Sequence, residues 1–428
     1  MRGRHVVRIV AVVAAVAAPG CWLQTGFDAG RTGFNDSESA ITAANVAGLT
    51  QAWSVSTGFT EPLVQGGAVY SRGPNVVVAL DAATGATRWS VPATGSLPPT
   101  AALAGDRLWV PLSTGGDNDC RLLALDPVTG ATVQSVHVPT PGPGPAPGIQ
   151  VFCELGDLVT DGTTVTVEWG FEGEGQGIHD ACSPLPDVAS GTGALSIDAK
   201  TGATVWAAND VVAGCGGLPP PDLPFFLSAR GSTTYSVRND HITTYTANGA
   251  CGQAVCEGSL PLPTGPGGVA RYSTATGDGH LLLGATDGRL LVLDATTGAL
   301  DWTGDLGSTS APAFAATPTT VYATGSGGRV AAFPLGGCGA DTCTPTWTST
   351  TPTGAVGTPA VGGDVLYVSD RGGGISAWDA AGCGAASCTP RWTGSLGGPG
   401  SGGPVVDDGT LYVGSQGTGL TAFRLGSS

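Results

Sequence analysis

The chain of 428 residues contains one lysine, Lys200, and one methionine, Met1. Charged residues make up only 12% of it and lean acidic, for a formal net charge of −16. A chain so short of cations has no basic patch with which to grip a phosphate backbone, so nucleic acid is excluded as a partner. After the first twenty residues no window carries the 3.6-residue period of an amphipathic helix, which excludes a helical bundle and a helix lying on a membrane surface. The glycine runs Gly325–Gly328 and Gly372–Gly374 are not followed by helices, so they read as hairpins and not as phosphate-binding loops.

Glycine (71) and proline (31) are plentiful, and valine, threonine and alanine fill much of the rest. That is the composition of many short strands joined by tight turns. One phrase organises them. Val292-Leu293-Asp294-Ala295-Thr296-Thr297-Gly298 leads to Trp302. It reads as a strand end, a turn in which Asp294 bonds backbone two residues on and Gly298 takes positive φ, and a returning strand anchored by tryptophan. The phrase recurs from Asp81 to Trp89, from Asp126 to Gln134 and from Asp198 to Trp206. A period near forty residues, or about twice that where a unit departs from the pattern, signals propeller blades of four strands.

Counting units gives eight. They run Glu61–Trp89, Thr100–Gln134, Ile149–Trp206, Phe225–Leu260, one ending at Trp302, Ala311–Trp347, Thr358–Trp392 and Gly403–Leu425. The third is swollen by an insertion between Gly170 and Gly193. The last has three strands, and the strand around Trp53 belongs to no earlier unit, so pairing the two closes the ring and leaves no open edge. The expected fold is therefore all-β: one eight-bladed propeller of four-stranded antiparallel blades over 50–428, preceded by a lead-in at 21–49. Trp53, Trp89, Trp206, Trp302, Trp347 and Trp392 fall at equivalent outer-strand positions and are expected to pack between blades, with Gln134 and the Leu260 region as departures.

Residues 1–20 read as a signal peptide. Arg2, Arg4 and Arg8 form a basic start, and Ile9–Ala18 is an apolar stretch too short to span a bilayer. Removing those three cations would take the net charge from −16 to −19. Ala18-Pro19-Gly20-Cys21 resembles the cleavage site of bacterial lipoproteins, which implies a lipid on Cys21 and an extracytoplasmic, membrane-anchored or secreted protein. The membrane link would run only through that anchor.

An exported chain can oxidise its remaining ten cysteines. Cys251–Cys256, Cys338–Cys343 and Cys383–Cys388 share one spacing and replace the Asp-x-x-Thr-Gly turn, so each is expected to clip a turn with a local disulfide instead of holding zinc. The other four lie on loops of the opposite face. Their two separations of 33 residues predict Cys120–Cys153 and Cys182–Cys215, each tying a loop of one blade to the entry of the next. The polar stretch Glu168–Asp180, with Glu168, Glu172, Glu174, His179 and Asp180, joins Asp117, Asn118 and Asp119 of the neighbouring blade as a candidate acidic rim on that face. No nucleophile is placed beside His179 and Asp180, so no catalytic residue and no metal ligand is assigned.

The repeat A-x-D-x-x-T-G-x-x-x-W, clearest in Ala79, Asp81, Thr84, Gly85 and Trp89, resembles that of the pyrroloquinoline-quinone-like β-propeller family. The lead-in also resembles the segment before the first blade in such proteins. The family includes quinone-dependent alcohol dehydrogenases and non-enzymatic lipoproteins of envelope assembly. The dehydrogenases carry an adjacent cysteine pair over the cofactor, and this chain has no adjacent cysteines. The expectation is a monomeric scaffold in the cell envelope that binds a protein or small ligand at its loop face, with no cofactor. The alternatives are a dehydrogenase-like enzyme using pyrroloquinoline quinone and calcium in the central funnel, or a structural part of an envelope assembly.

Overall fold

The computed structural model describes residues 21–56, 60–73, 75–93, 100–113, 119–138, 149–175, 190–212, 226–237, 241–263, 269–416 and 419–426. These form eight antiparallel sheets of four principal strands, met in chain order around a ring. The eighth combines Val405–Asp407, Thr410–Ser415 and Gly419–Leu425 with Leu49–Val55, which pairs antiparallel with Gly419–Leu425. The N-terminal strand thus closes the ring, as the unpaired Trp53 strand requires.

Blades hold together because each turn is built twice over, once within itself and once against its neighbour. In the blade-five turn, Asp294 Oδ1 accepts from the Thr296 and Thr297 amides at 3.0 and 2.7 Å and from Thr297 Oγ1 at 2.9 Å. Asp81 and Asp198 repeat the same bonds, and Asp126 the two amide bonds. The glycine that ends the turn then lies flat on the tryptophan of the preceding blade. A Cβ on Gly85 would sit 2.8 Å from Trp53, and one on Gly130 2.7 Å from Trp89. The indole N–H groups complete the dock: Trp53 donates to Ala82 O, Trp89 to Pro127 O and Trp302 to Leu335 O, each at 3.0 Å. The departures use the same geometry. Gln134 takes the tryptophan's place under Gly202 and donates to Thr201 O at 2.7 Å, while Leu260 and Pro261 lie under Gly298.

The three short cystine clips are present, with Cα–Cα separations of 5.8, 5.7 and 5.6 Å for Cys251–Cys256, Cys338–Cys343 and Cys383–Cys388. Two of them do more than tighten a turn. Thr342–Cys343 adds a short parallel strand to the outer edge of blade five, where the Thr303 amide donates to Asp341 O at 2.8 Å. In the next blade the Thr348 amide donates to Ala386 O, and the Cys388 amide donates back to Thr348 O, both at 2.9 Å. The clipped loops therefore cover edges that would otherwise be bare.

Candidate functional site: the threaded hub and the loop face

The innermost strands surround a central hub, and the lead-in fills one end of it. Successive lead-in residues bond successive blades. Trp22 exchanges backbone bonds with Val64 of blade one at 2.9 Å, and Leu23 O accepts from Leu103 of blade two at 2.7 Å. The Gln24 amide side chain pairs with the Thr160 backbone of blade three at 2.8 and 2.9 Å. Ala29 O, Gly30 O, Thr32 O and Gly33 O then accept from Ala229, Ala275, Ala316 and Val361 of blades four to seven, at 2.6 to 2.8 Å. Asn35 Nδ2 reaches Val406 O of blade eight at 3.0 Å. The segment makes one circuit of the hub in fourteen residues. Each contact falls near the end of an innermost strand, so the thread rims the face that carries the first-to-second-strand turns.

Small residues make the circuit possible. A Cβ on Gly30 would stand 2.1 Å from Ala275 O, and one on Gly33, at φ +62°, 2.8 Å from Pro359 O. Polar groups of both hub and lead-in hold the two together. Glu61 Oε1 accepts from the Gly26 amide at 2.7 Å and from Trp22 Nε1 at 3.2 Å. Arg31 Nη2 pairs with Asp157 Oδ1 at 2.6 Å and donates to Leu158 O at 3.2 Å, and Asp157 Oδ2 accepts from Leu227 N. Asp28 holds Thr32 by amide and hydroxyl at 2.9 and 2.7 Å. Glu38 accepts from Ala40, Ile41 and, across to blade eight, Gly409.

Burial governs the acidity of these groups. It pushes Glu61 up to about 7 against the pull of the Gly26 amide and Arg31. It pushes Asp407 to about 7 as well, helped by Asp408 and Glu38 and opposed by Asn35. Asp157 and Asp28 are also raised by burial, with Arg31 and the Thr32 bonds respectively restraining the rise. Glu61 and Asp28 keep limited contact with solvent, whereas Asp157 and Asp407 are buried.

On the opposite face the predicted rim is only partly described. Asp119 pairs with Arg121 Nε at 2.7 Å and stands 3.4 Å from His137 Nδ1. Asp117, Asn118, His179 and Asp180 lie outside the described residues. The stretch from Glu168 to 175 is not a loop, as its polarity suggested. It continues the strand Thr164–Gly175, with Glu172 opposite Phe152 and Ser190 and Glu174 opposite Gln150. Glu168 is fully buried and so leaves the rim. Alternation along an extended strand, read as loop composition, accounts for the difference. Cys120 and Cys153 are joined with a Cα–Cα separation of 5.8 Å, tying blade two to blade three; Cys182 and Cys215 lie outside the described residues. The thread itself went unforeseen, and its only signal was the spacing of Gly26, Gly30 and Gly33 in a stretch without strand pattern.

The fold and hub define an eight-bladed propeller, closed by its N-terminal strand and threaded by the segment before it. A family model described as outer membrane protein assembly factor BamB matches residues 23–163, 191–337 and 335–425, and the chain belongs to that family of pyrroloquinoline-quinone-like propellers. Among solved structures it is similar to BamB from Moraxella catarrhalis, at 17% identity over 89% of this chain and 98% of that one, with a TM-score of 0.56. It is also similar to a quinohemoprotein alcohol dehydrogenase from Comamonas testosteroni, at 14% identity over 97% and 83%, TM-score 0.64. A europium-containing methanol dehydrogenase matches at 15% over 92% and 89%, TM-score 0.61. At such identities these likenesses establish the fold alone. No curated protein matches the chain.

Pyrroloquinoline quinone with calcium does not fit the threaded end of the hub. Calcium takes six to eight oxygen ligands. Among the described residues Glu61, Asp28, Asp157 and Glu38 already receive amides, an indole or a guanidinium. Asp28 and Glu38 belong to the lead-in itself, and Glu61 and Asp157 could turn to a cation only if Gly26, Trp22 and Arg31 released them. No helix among the described residues is long and apolar enough to cross a membrane.

Proposed function

We propose that the protein is an exported scaffold of the cell envelope, held to a membrane through a lipid on Cys21, which docks a partner on the face opposite the thread. The observation that carries this reading is the use of Glu61 and Asp157 to seat the lead-in at one end of the hub. The family match over most of the chain, to a model described by an assembly factor, supports it. Cys21 is half-buried and adjoins Trp22, whose backbone pairs with Val64 beside the first inner turn. A lipid there would turn the threaded face to the membrane. The opposite face, with Asp119 and the Cys120–Cys153 bridge, would point away and meet the partner.

Expression with the native leader in a bacterial envelope tests the anchor. The mass of the N-terminal peptide should show Cys21 carrying diacylglycerol, and Cys21→Ser should release the protein into the soluble fraction. A mature terminus elsewhere, or membrane retention of the serine variant, would refute the anchor. Partner docking is tested by photo-crosslinker placed at Asp119 and, as control, at Val128 in a turn of the threaded face. Equal labelling from both sites would refute the proposed orientation.

A further inference from the structure

The ends of the innermost strands offer inward amides not used between the four principal strands of a blade: Leu103, Ala229, Ala275, Ala316 and Val361 all donate to lead-in carbonyls. Buried amides must find acceptors, so this ring of donors is a binding surface for a peptide backbone. Its occupant brings four large apolar residues: Trp22 is fully buried in a core, and Leu23, Phe27 and Phe34 are partly buried against the blades. Trp22 and Phe27 meet edge to face at one end, with ring centroids 5.1 Å apart. From there Gly30 and Gly33 approach the strand carbonyls at distances no side chain allows, and Arg31 supplies one cation to Asp157. The ring itself closes further along the chain, at Leu49–Val55, and does not depend on the thread for its last strand. Between Asp28 and Gly33 the segment is held by backbone and polar bonds, and a stretch held that way lies toward the low-stability end of a fold.

We infer that residues 22–35 are a peptide ligand bound in cis, and that the hub is a peptide-binding site which can release them while the ring stays folded. The ligand class is a short turned segment, closed on itself by bonds from the Phe27 and Gly33 amides to Gln24 O and Gly26 O, with an aromatic residue at its start, glycine where Gly30 and Gly33 stand, and a cation where Arg31 stands. This inference stands independently of the proposed scaffold function.

Hydrogen exchange on the mature chain is the first test. The five named amides should exchange at least ten-fold faster than the Tyr322 and Tyr367 amides inside blades six and seven, with an opening that depends weakly on denaturant. Equal rates for both sets, following global unfolding, would overturn the inference. The second test uses Gly30→Ala, whose Cβ meets Ala275 O. This variant should keep the near-ultraviolet signature of the ring and bind a fluorescein-labelled synthetic peptide of residues 22–38, saturably and at least ten-fold more tightly than a scrambled peptide. Failure of the variant to fold would make the thread part of the ring's cooperative unit. A folded variant that ignores the peptide would show that the hub is no peptide site. Either result refutes the inference.

Discussion

Replacing Gly130 with alanine tests the link that joins one blade to the next. Gly130 has φ +74°, and a Cβ there would lie 2.7 Å from Cδ2 and Cε3 of Trp89 and 3.0 Å from a Val91 methyl. Two costs follow. Forcing an L-residue into the left-handed region costs roughly 1–2 kcal/mol. Overpacking against a buried indole costs about 1–3 kcal/mol more, since Trp89 is pinned by its bond to Pro127 O and cannot simply step aside. The sum is about 2–5 kcal/mol. Gly162→Ala is the control, because Gly162 has φ +88° but nothing within 4 Å of its Cβ. It should lose only the first part, about 1–2 kcal/mol. Guanidinium unfolding of both variants, followed by tryptophan fluorescence, measures the difference. Trp89→Ala should cost less when added to the Gly130→Ala variant than when made in the wild-type chain, because the clash leaves with the indole. Equal midpoints for Gly130→Ala and Gly162→Ala would refute the claim that the turn glycine docks on the tryptophan.

Two carboxylate sets should respond to pH in opposite senses. Asp81 is drawn down to about 2 by Arg88 and Thr84, and Asp126, Asp198 and Asp294 are lowered by their turn bonds, so their stabilisation is present above about 4 and fades as pH falls through the lowered values. Glu61 is raised to about 7, so the folded state holds its proton more tightly than the unfolded chain does. That advantage is complete below about 4.3 and disappears as pH rises through about 7. Glu61→Gln keeps an oxygen for Gly26 and should flatten the loss of stability between about pH 5 and 8 seen in thermal melts; an unchanged pH profile would contradict the assignment. Removing Cys338–Cys343 as a double alanine variant should cost roughly 2 kcal/mol and removing Cys120–Cys153 roughly 4 kcal/mol, following loop length. The first should also deprotect the Thr303 amide in hydrogen exchange, which the second should leave alone.

The blades were legible because their signal is local and repeated. Asp81 to Trp89 states in nine residues the strand end, the turn and the anchor, and the same order returns in later units. The cystine clips were legible for the same reason: Cys338 to Cys343 stands where that phrase should be. Their second role was not, since the pairing of Thr342 with Thr303 spans a blade boundary and needs no special residue type. The lead-in was least legible. Its partners are spread from Val64 to Val406, and backbone carbonyls make most of its bonds, so side-chain pattern carries almost no trace of them. Gln134 shows the intermediate case. It stood out as a missing tryptophan, but only the structure shows it filling the same dock with an amide.

A hub whose Glu61 and Asp157 are engaged by the lead-in is not set to hold a cofactor. This is measured most simply by calorimetric titration of pyrroloquinoline quinone with calcium into the mature chain, beside the same titration into Gly30→Ala. No saturable heat is expected with the intact thread. Saturable binding at one quinone per chain, with the thread amides still protected from exchange, would contradict the occupied hub.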